Sequence, residues 1–284
     1  MSTLETKLAR IKELKMKKEN FKEIFDLFEK IFIEKEKVKN KIESFKDYPN
    51  KDGINLRLKE GFPIADSGSL KPDMDSLEKY FFSLLDVMAE KNSDEVKYIK
   101  EVIAVINGGF KAFFEKIFAE DADAYISSFE KGKDVLVFII KESLKPFLEK
   151  YCDGIKEEIT EERWVEGTCP VCGSFPSIAE LRGEEGKRYL VCPDCSMEWA
   201  FERIKCPFCN IDEQKKIEYF SPEKEPWYRV MLCKGCNHYL KVLDYREMEK
   251  PPVFEVEQLA TLHLDVIAKK EGYVTEDALV NLIL

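Results

Sequence analysis

The chain has 284 residues, 35% of them charged, and a formal net charge of -10. That length suits two domains and a sizeable core without covalent staples, and the acid excess argues against a general nucleic-acid surface. The longest greasy patch, residues 135–140, is far too short to span a bilayer, and residues 1–20 lack the apolar run of a signal peptide, so a cytoplasmic protein is expected.

Residues 3–44 carry a helical pattern in which Leu4, Leu8, Ile11 and Leu14 recur at three to four residues, continued by Phe21, Ile24, Phe25, Phe28, Ile31 and Phe32. The intervening lysines and glutamates read as a solvated face. Residues 47–75 contain Pro49, Gly53, Gly61, Pro63, Gly68 and Pro72, so the spacing predicts a long ordered loop that covers the protein's own core. Helices resume near Asp75 (Leu77, Phe81, Leu84, Leu85, Met88), over residues 93–106, after Gly108 and Gly109, and over residues 134–151 with Pro146 as a candidate kink. Cys152 follows and reads as a small buried hydrophobe.

From about residue 163 the composition changes to short strands and turns. Eight of the nine cysteines form four C-x-x-C pairs: Cys169/Cys172, Cys192/Cys195, Cys206/Cys209 and Cys233/Cys236. Two such pairs complete a tetrahedral four-sulfur shell around a soft cation, so four pairs predict two metal sites. In a reducing compartment metal thiolates are favoured over a disulfide framework. Gly173, Ser196, Asn210 and Asn237 each follow a second cysteine, where a knuckle of backbone needs positive φ.

Strands are expected over residues 175–182 and 187–191 around a Gly183–Gly186 turn, then over 197–204; a second set covers 215–220, 227–232 and 239–245. This weak repeat favours joining consecutive knuckles. One helix over residues 256–270, with His263 on its apolar stripe, and a short helix beginning at Thr275, Glu276 and Asp277 complete the pattern. His238, two residues after Cys236, is expected beside a complete sulfur shell.

The fold class is therefore α+β: an all-helical N-terminal domain (1–160), two tandem small-β rubredoxin- or zinc-ribbon-like modules (161–204 and 205–250), and C-terminal helices (251–284) packing back on the helical domain.

Trp164 stands before Cys169-Pro-Val-Cys-Gly-Ser174, Arg188 and Leu190 before Cys192, and Glu198-Trp199 with Arg203 before Cys206. The pattern continues through Tyr239-Leu240-Lys241, Leu264-Asp265 and Gly272-Tyr273, with Gly61-Phe62-Pro63 in the helical half. In these residues the sequence resembles the FdhE family of formate dehydrogenase accessory proteins. The resemblance implies iron as the metal and a role in assembling active formate dehydrogenase by binding its catalytic subunit. Spacing alone suits zinc or iron equally. Four thiolates around a divalent ion carry two net negative charges, which Lys187, Arg188, Arg203 and Lys205 are placed to offset.

A maturation chaperone with two structural four-cysteine metal sites is the leading expectation, with a rubredoxin-like electron-transfer or thiol-exchange protein second and a nucleic-acid-binding zinc ribbon third. No hydrolase or transferase site is visible, because neither of the two histidines lies in a catalytic motif.

Overall fold

The computed structural model describes residues 3–43, 45, 48–65, 71–119, 122–160, 164–244, 246 and 251–276. Its helical half comprises α1 (Thr3–Lys17), α2 (Lys22–Lys39), α3 (Lys51–Lys59), α4 (Met74–Met88), α5 (Ser93–Ala104), α6 (Gly109–Ile117), α7 (Ala122–Ser127) and α8 (Lys133–Ile155). Helices α1, α4 and α8 pack around α2, and of the phenylalanines read as one helical face Phe25, Phe28, Phe32 and Phe81 are buried there, Phe25 and Phe81 completely, with Phe21 partly buried. The first helical pattern is broken by a 3-10 turn at Glu19–Phe21, and α8 runs through Pro146.

The long loop expected over residues 47–75 is wrong in its centre, where α3 lies. Asn50 caps α3 by accepting from the Gly53 N–H at 2.9 Å. Gly61, with φ of 76°, ends it as Phe62 N–H donates to the Arg57 carbonyl at 2.9 Å and Gly61 N–H to Leu58 at 3.2 Å. Pro49, Gly53, Gly61 and Pro63, which suggested a loop, thus lie in or beside a short helix, while Gly68 lies outside the described residues.

The ribbon half forms one six-stranded sheet in the order β3-β2-β1-β6-β5-β4, with β1 (Ile178–Arg182), β2 (Lys187–Val191), β3 (Glu198–Ala200), β4 (Ile217–Phe220), β5 (Tyr228–Cys233) and β6 (Tyr239–Asp244). Within each set of three the strands are antiparallel, and the two sets join through β1 and β6, which run parallel with Ile178 opposite Lys241. The expected turn is in place: Gly183 and Gly186 both have φ of 65°, and Gly186 N–H donates to Gly183 at 3.1 Å. The third strand is shorter than the 197–204 expected, because Phe201 makes the last bond, to the Arg188 carbonyl, and the carbonyls of Glu202 and Lys205 turn to the Arg188 guanidinium.

Alternation along β6 divides its side chains between two cores: Leu240 and Val242 face Trp164, Tyr151 and the end of α8, whereas Tyr239 and Leu243 face Leu264 and Ala268. The single C-terminal helix expected over 256–270 is two, α9 (Phe254–Ala260) and α10 (Leu262–Lys270). They part at Thr261, whose buried hydroxyl donates to Glu257 O at 2.7 Å. Helix α9 packs on α1 and α10 on β5. Asp277, read as part of a last helix, lies outside the described residues.

Candidate metal centres

Each centre is built from two copies of one knuckle. In all four the first cysteine's N–H donates to the carbonyl five residues on: Cys169 to Ser174 (2.8 Å), Cys192 to Met197 (2.9 Å), Cys206 to Ile211 (2.8 Å) and Cys233 to His238 (2.9 Å). Closing so tight a loop forces positive φ after the second cysteine. Gly173, Ser196, Asn210 and Asn237 have φ of 80°, 59°, 60° and 57°, and the last three are the only non-glycine residues with positive φ among those described.

The structure gathers Cys169, Cys172, Cys192 and Cys195 into one cluster and Cys206, Cys209, Cys233 and Cys236 into another, each with its sulfurs within 4.8 Å of one another. Sulfur pairs lie at 3.4 Å (Cys169–Cys195 and Cys172–Cys192), 3.7 Å (Cys172–Cys195), and 3.7 Å (Cys206–Cys236 and Cys209–Cys233). A tetrahedron with metal–sulfur bonds of about 2.3 Å has edges of about 3.8 Å, so both clusters fit an ion and are far too open for disulfide bonds.

The electrostatics agree with that donor set. Hydrogen bonds from Cys169, Cys192 and Cys195 hold Cys172 well below the ordinary thiol range, while burial pushes those three donors up. In the second cluster burial pushes Cys206 up to about 12 and raises Cys236 too. Burial also acts upwards on Cys233, but the N–H groups of Cys236 and Gly235 bring it below the ordinary value. Each site thus biases one thiol towards the anion, and a cation is what would gather the remaining sulfurs as thiolates. Together the clusters can hold two metal ions.

The surroundings differ. The first centre is wedged against the helical half: Ile64 and Ala65 N–H groups donate to Pro170 and Val171 carbonyls at 2.9 and 2.8 Å, so the segment after Gly61-Phe62-Pro63 straps its first knuckle. Ser174 Oγ donates to the Asp194 carboxylate at 2.6 Å, and Ser196 Oγ reaches Glu149 of α8 at 3.4 Å. Cys152 lies at the same boundary, its sulfur 3.8 Å from Met197 Sδ.

The second centre faces outward, with Cys209 and Cys236 only partly buried. His238 stacks on Phe208 (ring centroids 4.7 Å apart) while its ring nitrogens meet Cys236 O and Glu276, both at 3.0 Å. It sits beside the sulfur shell as the sequence suggested. His263 lies away from both centres, packed on Phe21, with Glu225 3.8 Å from its Nε2.

Of the four cations expected to offset cluster charge, Arg188 is the one that is buried. It sits beneath the second centre, bonded to the Glu202 and Lys205 carbonyls and 3.3 Å from Met231 Sδ. Burial pulls its guanidinium down to about 10, against the attraction of Tyr219 and Cys206. Lys187 lies over Tyr189, Lys205 over Phe201, and Arg203 reaches Glu185 O. Lys241 and Asp265, distant in sequence, meet at 2.7 Å and tie β6 to α10.

The strap, the Ser196–Glu149 contact and the Cys152 neighbourhood were not visible in the sequence. Only Gly61-Phe62-Pro63 left a trace of them.

Residues 168–203 match the sequence model described as FdhE, central domain, and residues 204–284 that described as FdhE, C-terminal domain. The Protein FdhE homolog of Aquifex aeolicus is 29% identical over 273 residues, covering 94% of this chain and 91% of the relative. Protein FdhE of Escherichia coli strain SE11 is 28% identical over 238 residues, covering 80% and 73%. The crystal structure of the FdhE protein from Pseudomonas aeruginosa superimposes with a TM-score of 0.67 at 20% identity, over 96% of this chain and 94% of that one. The two FdhE models lie side by side over residues 168–284, and the relatives and the solved structure span most of the chain, so it is similar to FdhE proteins in both its helical half and its joined ribbons.

Proposed function

We propose that this protein is a non-enzymatic accessory factor that binds the catalytic subunit of a formate dehydrogenase while that enzyme matures, and that Cys169, Cys172, Cys192 and Cys195 hold one metal ion and Cys206, Cys209, Cys233 and Cys236 a second. Similarity to FdhE proteins over most of the chain supports the client. The observation that carries the binding role is the gathering of four sulfurs in each cluster, a set that would complete a tetrahedral shell around an ion and leave it no coordination position for a substrate. An ion so held contributes on the order of 10 kcal/mol to folding a ribbon, which is a scaffold's requirement. Iron is the ion the family resemblance implies, and sulfur ligation accepts zinc as well.

Two experiments test this reading. The tagged chain, expressed in a host that makes formate dehydrogenase, should co-purify with its catalytic subunit, and deleting the gene should lower formate dehydrogenase activity; neither effect would appear if the client were wrong. Anaerobically isolated protein should contain two equivalents of metal, and Cys→Ser changes in one cluster should remove one of them.

A further inference from the structure

Where β3 ends and the chain turns off β2, a cleft of about 510 Å³ opens between residues 164–165, 185–188 and 200–203. Trp164 and Phe201 in its wall are buried. Ten large apolar side chains are exposed among the described residues, and four of them gather here. Val165 belongs to the wall and is 64% exposed, Ile204 follows the wall residue Arg203, and the Tyr219 hydroxyl lies 3.4 Å from the Arg203 carbonyl. Phe62 follows Gly61, where an added methyl would stand 3.8 Å from Glu166, the neighbour of Val165. Apolar exposure concentrated at a concave site marks a surface for another chain. The wall is fixed in advance: Trp164 Nε1 donates to the Thr168 carbonyl at 2.7 Å, Trp199 Nε1 to the Glu166 carbonyl at 3.2 Å, and Arg188 to the carbonyls of Glu202 and Lys205.

The charge beside the cleft indicates what that chain carries. Four cations are buried among the described residues, and Lys7, Lys35 and Lys241 each meet a carboxylate. Arg188 does not: its bonds go to two carbonyls and a thioether, and its Nε has no hydrogen-bond partner. Buried charges are ordinarily paired, and no thiolate of the second centre above it accepts a hydrogen bond from it. Arg203 on the wall has a carbonyl, Glu185 O, for its partner, and Lys205 lies over the Phe201 ring, 5.5 Å from its centroid. The wall's own carboxylates, Glu185 and Glu202, are exposed and pair with none of the three.

We propose that this cleft takes an extended segment of the client, which lays a leucine or aromatic side chain against Trp164 and Phe201 and brings an aspartate or glutamate carboxylate into the field of Arg188, Arg203 and Lys205. The inference deepens the accessory-factor reading and rests on it for the identity of the client. Preformed walls leave little ordering to oppose binding, and the exposed cations make it sensitive to salt.

The test uses the full-length, metal-loaded protein and short fluorescein-labelled peptides followed by anisotropy. One peptide carries a central leucine and phenylalanine flanked by aspartates, a second the same pair flanked by lysines, and a third the aspartates with alanines in place of the pair. The first should bind roughly tenfold more tightly than either other, and less tightly as salt rises. Arg203→Glu and Val165→Asp, both at exposed positions, should each weaken it roughly tenfold with metal content unchanged, whereas Lys97→Glu on the exposed face of α5 should leave it as it is. Three peptides binding alike, a labelled single-stranded RNA binding more tightly than the first peptide, or both cleft variants matching wild type would overturn the proposal. Capture of the formate dehydrogenase catalytic subunit should fall in the same two variants; equal capture by wild type and both would also overturn it. A wild-type protein that captures no catalytic subunit removes the client reading, and the peptide comparison then decides the cleft by itself.

Discussion

The Lys35 ammonium donates to the Glu149 carboxylate at 2.7 Å, with both side chains almost fully buried, where α2 meets α8 beside the first centre. Lys35 also bonds Glu255 of α9, which bonds Lys7 of α1; Glu149 bonds Lys39, and Lys39 approaches Asp153 at 3.5 Å. Charges of alternating sign thus run along the seam between the helical half and the ribbons. Replacing Lys35 by Met leaves Glu149 and Glu255 facing each other with too little positive charge, and should cost about 3–5 kcal/mol. Urea unfolding measures this, and adding Glu149→Gln should recover part of the loss.

The same seam sets an acid limit. Burial pushes the Glu149 and Glu255 carboxyls up, but Lys35, with Lys39 beside the first and Lys7 beside the second, holds both below the usual range. The unfolded chain therefore binds more protons, so their contribution is complete above about pH 4.3 and drains away as pH falls further. In Lys35→Met the sign should reverse between about pH 7 and 5, acidification relieving the repulsion. Urea midpoints of the two proteins at several pH values read the difference directly.

At Asn237, with φ of 57°, glycine should be tolerated within a few tenths of a kcal/mol, whereas a β-branched valine should cost about 1–2 kcal/mol. Because the strain falls on a knuckle of the second centre, Asn237→Val should speed metal loss to a chelator from that centre alone, measured as biphasic release.

A methyl group on Gly167 would come within 1.9 Å of the Pro207 carbonyl oxygen. Gly167→Ala should therefore push the segment before Cys169 off the third knuckle at a cost of about 1–3 kcal/mol. Hydrogen exchange at residues 206–210 should rise while that of α4 stays unchanged.

Stripping the first centre of metal should loosen the second half of the sheet as well. β6 takes one set of its partners from β1, so amide protection along β6 should fall in a Cys169→Ser/Cys172→Ser protein even though its own cluster is untouched. Protection unchanged in β6 would mean that the two ribbons fold independently.

The local parts of this architecture were legible. Cysteine spacing located both clusters, and positive φ at Ser196, Asn210 and Asn237 followed from the demands of a tight knuckle. The Gly183–Gly186 turn was equally plain, since its bonds lie within four residues. Helix α3 was hidden because capping residues and loop residues are the same types, and Asn50 and Gly61 declare themselves only once the backbone between them is seen. The break at Thr261 depended on one hydroxyl choosing a carbonyl. Contacts between distant segments left no periodic mark: nothing in the spacing of α2 and α8 announces that Lys35 meets Glu149, or that Cys152 meets Met197.

The junction of β1 with β6 brings together unlike members of the two repeats, the opening strand of one and the closing strand of the other. Such a head-to-tail union is not self-limiting: the outermost strands, β3 and β4, are the counterparts of β6 and β1, so every molecule displays at its ends the same two mating surfaces it has used in its middle. Growth into a filament is opposed by brevity and charge. β3 has three residues with Glu198 held by Arg182, β4 has four with Glu218 held by Lys234, and Pro222 follows it closely. Lengthening either border strand with alternating valine and threonine would invite polymers.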